Sequence, residues 1–249
     1  MVLQYLKETE LYLKNVTEEI LNGNNENYGL LLIFQKLINY QINIFKEIYI
    51  LSVNDCFLGA IGRYRLFLEI YCILKYFIKY PDAILRFIDH YLLRNYLFDK
   101  KINPHLITVE NTKFHNELKK KYKNEYKIFI KNYGWACHKL NEPNSIKELF
   151  KLTFEINEID FINIEYNNVS EYSHASLSIA MKNKININAF YNFLGKSGSL
   201  SFVMMRIYIN WIIYILKTND KRLMAIIEIL DNLEKTIYND YIKSNPNVA

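Results

Sequence analysis

The chain is poor in the residues that make turns: its 249 residues include 7 glycines and 4 prolines. Sandwiches and barrels turn every few residues, so this scarcity argues against an all-β fold and for long helices. Cysteine is also sparse. Cys56, Cys72 and Cys137 are far apart and odd in number, with no CxxC pair and no Cys/His ladder. That argues against a zinc site or a disulfide framework, and no metal or cofactor is expected. The three thiols read as buried and reduced, in a cytoplasmic protein. The opening "MVLQYLKETELYLKN" carries charges throughout and lacks the apolar core of a signal peptide. The one long apolar run, "LSFVMMRIYINWIIYIL" (Leu200 to Leu216), is short for a span and holds Arg206 and Asn210. It reads as a buried core helix, so no membrane is expected. The net charge of +5 permits an anionic partner without demanding one.

What the chain does contain is apolar residues at i, i+3, i+4 and i+7, with 51% hydrophobic and 23% charged residues overall. This is globular composition in amphipathic helices. Helices are predicted over Val2 to Leu21, ending at "NGNNEN", and over Tyr28 to Val53. A third, capped by Asn54 or Asp55, reaches Tyr80. Pro81 suits the first position of a fourth. "DKKINPHLITVEN" reads as a loop, followed by a lysine-rich helix reaching Leu140. After "NEPNS", "NSIKELFKLTF" restarts with a capping residue. A further helix spans Glu158 to Met181, and two more follow the "GKSGS" loop. The expectation is an all-α, multi-helix bundle of about eight to ten helices in one domain. Within residues 1–249 it divides into an N-terminal helical pair (1–54), a core (55–181) and C-terminal helices (182–249).

One stretch departs from the monotony: "YNNVSEYSHASLS", Tyr166 to Ser178. Tyr166, Ser170 and His174 are four residues apart and share one helix face, which Leu177 and Ser178 extend. Val169, Ala175 and Ile179 beside them suggest partial burial, so the row needs polar partners. "GAIGRYRLFLEIYCILKYF" supplies a candidate pair, Arg65 and Glu69, also i, i+4 on a strongly apolar helix. An Arg–Glu pair there needs further partners to offset its desolvation. Arg65, Glu69, Tyr166, Ser170 and His174 are therefore expected to meet, either as a register-fixing network or as a ligand-binding or catalytic centre.

These motifs resemble a widespread bacterial and archaeal helical family described only as a domain of unknown function. The resemblance rests on Arg65-x-x-x-Glu69 and its aromatic continuation "YCILKYFIKYPDAILRF", on Trp135 before "SIKELF", and on Tyr166-x-x-x-Ser170-x-x-x-His174. It covers about 55–178. Ala175 stands where a glycine often follows the histidine. The resemblance implies a helical fold and a shared site, with no reaction attached. A second resemblance is to HEPN proteins, helical bundles of toxin–antitoxin and phage-defence systems. Many of them cleave RNA with an Arg-x4–6-His motif. "RFIDH", Arg86 to His90, is one residue too short for that motif. The HEPN resemblance implies His174 as general acid or base on a ribose hydroxyl, with Arg65 steadying phosphate charge.

Other features read as structural. Glu171-x-x-His174 has the spacing of di-iron bundles but occurs once, where two copies are needed. "GKSGS" lacks the earlier glycine of a phosphate loop, with Phe190 in its place. Ser170 and Ser173 sit on no strand–turn–helix elbow. His90, His105, His115 and His138 share no ligand spacing, and Trp135 reads as core. Lys119, Lys120, Lys121 and Lys123, interleaved with aromatics, form a solvated face or a nucleic-acid contact. Two function classes follow. One is a helical interaction or regulatory module, with a protein partner or a second copy of itself. The other is an enzyme acting on RNA or a nucleotide. The resemblance to defence-associated helical proteins implies a role in bacterial or phage conflict for either one.

Overall fold

In a computed structural model, the chain is described over residues 28–139, 145–173 and 220–244, with further positions inside 4–18 and 200–213. Every regular element among the described residues is helical. In chain order these are α1 (Tyr28–Val53), α2 (Phe57–Lys79), α3 (Ala83–Ile102), a 3-10 turn (Pro104–Leu106), α4 (Val109–Lys121), α5 (Tyr126–Phe129), a second 3-10 turn (Gly134–Ala136), α6 (Ile146–Thr153), α7 (Ile156–Ser173) and α8 (Lys221–Ser244). The all-α expectation holds. Packing divides the chain into two compact units, Met1–Leu74 with Ile164–Ala249, and Lys75–Asn163. The boundaries fall inside α2 and α7, not in linkers.

In the first unit, α1 buries Ile38, Gln41, Ile42, Phe45 and Ile48, an i, i+3, i+4 stripe. Its end shows a difference from the sequence reading. Asn54 does not start the next helix. Its side-chain amide donates to the Ile50 carbonyl at 2.8 Å, and the Cys56 amide bonds the Leu51 carbonyl at 2.8 Å. Asp55 adopts the left-handed conformation, φ 57°, that closes helix C-termini. A short polar side chain tolerates that region better than most residues, so "ND" terminates α1. Further on, the described residues between Leu200 and Ile213 are helical, and Met204, Met205, Tyr208, Ile209 and Ile212 are buried. Arg206, the charge that argued against a membrane span, pairs with Asp231 and Glu234 of α8. No described helix is long and apolar enough to cross a membrane.

The second unit departs most from the helical pattern. α3 starts two residues after Pro81. The amides of Ala83 and Ile84 bond the carbonyls of Tyr80 and Pro81. α3 also runs on to Ile102, into the expected loop, with Lys100 and Lys101 in its last turn, where cations suit the helix dipole. The loop is only Asn103–Thr108, and Thr108 then caps α4 by accepting from the Asn111 amide at 3.1 Å.

The lysine-rich helix expected to reach Leu140 ends at Lys121. A straight helix would keep Tyr122 and Phe129 on one face and turn Trp135 about 120° away from them; the chain instead breaks and buries all three. Tyr122 stacks on Phe129 with centroids 3.9 Å apart, and Trp135 packs edge-on against Tyr76 and Phe87. Tyr133 takes a left-handed φ of 58°. Gly134 lies so close to the carbonyls of Ile128 and Phe129 that a Cβ there would overlap both. Aromatic burial thus outweighs local helix propensity. α6 begins with the capping residue read from the sequence, here as a full capping box: Ser145 and Glu148 each bond the other's backbone amide.

At the N-terminus, Gln4, Lys7, Glu8, Leu11, Lys14, Asn15 and Glu18 are helical. "NGNNEN", the "NEPN" of the expected break, the helix beyond Ser173 and "GKSGS" lie outside the described residues.

Candidate functional site

α2 and α7 bring Arg65, Glu69 and Tyr166 together, a hundred residues apart in sequence. The Tyr166 hydroxyl donates to Glu69 Oε1 at 2.7 Å and accepts from Arg65 Nε at 3.1 Å. Arg65 Nε also reaches Glu69 Oε1 at 3.3 Å, and the guanidinium lies 5.3 Å from the Tyr166 ring centre. The triad is closed at the tyrosine and open at the charges: Tyr166 is 5% exposed, whereas the Arg65 and Glu69 side chains keep 31% and 21% of their surface in water. That partial exposure lowers the desolvation cost of an ion pair on an apolar helix.

The electrostatics follow from the geometry. Burial, then the hydrogen bond and charge of Glu69, push the Tyr166 phenol up to about 12. Burial works to lower the pKa of Arg65, but Tyr166 and Glu69 outweigh it and raise the value. At neutral pH Tyr166 is therefore a neutral phenol and Arg65 a charged guanidinium.

Two further residues belong here that the spacing argument missed. Tyr64, fully buried, sits against Glu165, itself 5% exposed. Burial and then the Glu165 charge raise the Tyr64 pKa well above its usual value. So neighbours on α2, Tyr64 and Arg65, face neighbours on α7, Glu165 and Tyr166. The signal was present in the sequence: Glu165 lies four residues before Val169, on the buried face of α7. Ser170 is half-buried one turn beyond Tyr166. His174, and the side chains of Glu171 and Ser173, lie outside the described residues.

The second unit holds another arginine centre, one that helix spacing does not reveal. Arg86 Nε donates to the Trp135 carbonyl at 3.0 Å, and its Nη2 reaches Glu125 Oε1 at 2.6 Å and Cys137 Sγ at 3.1 Å. The guanidinium lies 5.0 and 5.4 Å from the ring centres of Tyr122 and Phe129. One turn on, His90 Nε2 meets the Lys131 carbonyl at 2.8 Å and Arg94 donates to the Ile130 carbonyl at 3.0 Å. Arg86 and His90, the near-match to an Arg–His ribonuclease motif, are both engaged by the backbone of the 130–137 segment. Burial, then the hydrogen bond from Cys137 to Glu125, push the thiol up to about 11, which disfavours the reactive thiolate.

The lysines of α4 divide. Lys121 pairs with Asp89 at 2.7 Å, which also accepts from the Tyr122 hydroxyl at 2.6 Å. Lys119 lies 5.9 Å from the Tyr126 ring centre. Lys120 and Lys123 are exposed. Lys120 and Lys113 border an open groove of about 650 Å³ along the start of α4. The other histidines are separate. His115 stacks on Tyr96 and meets the Tyr126 hydroxyl at 2.8 Å, His138 lies 3.2 Å from Asp82, and His105 is exposed. Among the described residues, no group of His, Cys, Asp and Glu side chains is arranged to hold a metal ion.

No curated protein and no solved structure matches the chain. A protein family does: residues 31–188, well over half of the chain and including Arg65, Glu69, Tyr166 and Ser170, match DUF5677, and the protein belongs to that family of unknown function.

Proposed function

We propose that the protein is a helical interaction module in which the Arg65–Glu69–Tyr166 network locks α2 against α7, and that it acts through its surfaces. One observation carries this reading. The Tyr166 oxygen donates to Glu69 and accepts from Arg65 while its phenol is held near 12. General acid–base catalysis works best with a group titrating near the working pH, and a phenol so bound is neither base nor nucleophile. A register-fixing network is what such an arrangement does well. A role in bacterial or phage conflict is part of this reading, and its support is the resemblance to defence-associated helical proteins.

The competing reading is a HEPN-like ribonuclease or nucleotide-processing enzyme with His174 and Arg65 as its centre. Its support is the partial exposure of Arg65 and Glu69 and the exposed Lys120 and Lys123. The deciding experiment compares wild type, Arg65→Ala, Tyr166→Phe and His174→Ala for melting temperature and for turnover of RNA and nucleoside triphosphates. The module reading expects no turnover by the wild type and lower melting for Arg65→Ala and Tyr166→Phe. Turnover by the wild type that is lost in Arg65→Ala and His174→Ala at unchanged melting temperature would establish the enzyme.

A further inference from the structure

α3 buries one face in its own unit and leaves the other uncovered. Ala83, Ile84, Leu93 and Tyr96 are buried, Ile84 at the N-terminal end of the same arc that is exposed further along. On the outer face Leu85, Tyr91, Leu92, Phe98 and Ile102 keep 40–60% of their surface in water, and Ile88 is half-buried. At 100° per residue these six side chains fall within one arc of the helix. The five most exposed leave on the order of 600 Å² of apolar surface in water, the upper end of the largest patch on an ordinary monomer.

The order of residues along that arc is symmetric about Asn95. Ile88, Leu92, Asn95, Asp99 and Ile102 lie at −7, −3, 0, +4 and +7; Tyr91 and Phe98 lie at −4 and +3. Between Ile88 and Ile102 each position on one side therefore has its counterpart on the other, and Leu85 lies beyond the symmetric stretch. An isologous two-fold contact requires this, because residue i of one copy meets residue j of the other and j meets i. Two α3 helices packed antiparallel about Asn95 place Leu92 level with the second copy's Phe98, and Ile88 level with its Ile102. Tyr91 comes level with the second copy's Asp99, on the opposite flank of the seam. Asn95, exposed and polar at the centre of an apolar seam, meets itself on the axis. A lone asparagine in such a seam fixes register at some cost in stability.

We propose that this face of α3 is a homodimer seam and that its occupant is a second copy of the chain, antiparallel about Asn95. The area supports a pair: about 600 Å² of apolar surface per copy, with its polar rim, approaches the roughly 800 Å² per partner of a stable interface. This goes beyond the reading of the Arg65 network and does not depend on it, since every residue involved lies in the Lys75–Asn163 unit.

The full chain at micromolar concentration is measured by sedimentation equilibrium and by circular dichroism. The wild type is expected at the mass of two chains, and Leu92→Glu with Phe98→Glu at the mass of one, with unchanged helicity. The geometry is read by cysteine pairs under mild oxidation in a Cys56→Ser background. Asn95→Cys is expected to cross-link with itself, and Ile88→Cys with Ile102→Cys when the two variants are mixed. A one-chain mass for the wild type would overturn the proposal. So would a two-chain mass that survives both glutamates, or Ile88→Cys linking to itself as readily as to Ile102→Cys.

Discussion

Arg65 and Arg86 are both half-buried arginines on long helices, and they do different things. Arg65 joins side chain to side chain: one carboxylate a turn away and one phenol on a second helix. Arg86 joins a helix to an irregular segment through a backbone carbonyl, a carboxylate and a thiol, with aromatic rings beside it. The first kind of centre sets the register of elements that would be helices anyway. The second holds a conformation that exists only because the arginine and the aromatics require it. Losing Arg65 loosens a contact; losing Arg86 removes the support of a segment.

The sharpest way to break that comparison is Arg86→Ala. It strands the Glu125 carboxylate and the Trp135 carbonyl, and is expected to cost about 3 kcal/mol in denaturant titration. Arg86→Lys is expected to recover only a minority of it, because an ammonium cannot reproduce the fork. If Arg86→Ala costs no more than Arg65→Ala, the distinction between the two centres fails. Tyr166→Phe should cost less, about 1 kcal/mol, the size of one net hydrogen bond. Removing Arg65 should cost roughly 1–2 kcal/mol, as Glu69 is partly exposed.

A pH titration probes the second unit more gently. His90, His115 and His138 all have pKa values lowered from 6.5: burial is the main cause in each, and nearby cations such as Arg94, Lys100 and Arg86 add to it. A lowered folded-state pKa means that the unfolded chain binds protons more readily. Stability is then fully present above 6.5 and falls as pH drops through 6.5 toward the folded values. Melting temperature should decline over that window, and His90→Gln should flatten the decline. The smallest effect is expected of Lys121→Ala. The lysine is 57% exposed, and a surface pair with Asp89 should be worth less than about 1 kcal/mol in the same titration.

The two centres also differ in how far they could be read in advance. Arg65, Glu69 and Tyr166 were found because each lies on a regular helix, where i, i+4 spacing fixes the face, and because a charged pair on an apolar helix must have partners. Tyr64 and Glu165 were legible by the same rule. Arg86 was not, since its spacing to His90 suggested a different motif. Its partners stand 39, 49 and 51 residues away, and one of them is a main-chain oxygen that any residue could have supplied. The lysine-rich helix ends at Lys121, short of the Leu140 its sequence suggests, for a related reason. Its helix formers are real, but the burial of Tyr122, Phe129 and Trp135 and the tight approach at Gly134 outweigh them.

Hydrophobic period, the shortage of glycine and proline and the spacing of polar residues on helix faces determined by themselves that the protein is all-α and that α2 and α7 share a polar contact. These are short-range properties, set by backbone geometry within a turn or two. Only the tertiary structure decided where the helices stop in the second unit, what Arg86 holds, and that α3 keeps an apolar face in water. Those outcomes depend on which distant groups arrive to bury an aromatic ring or satisfy a carbonyl, and no local pattern records that.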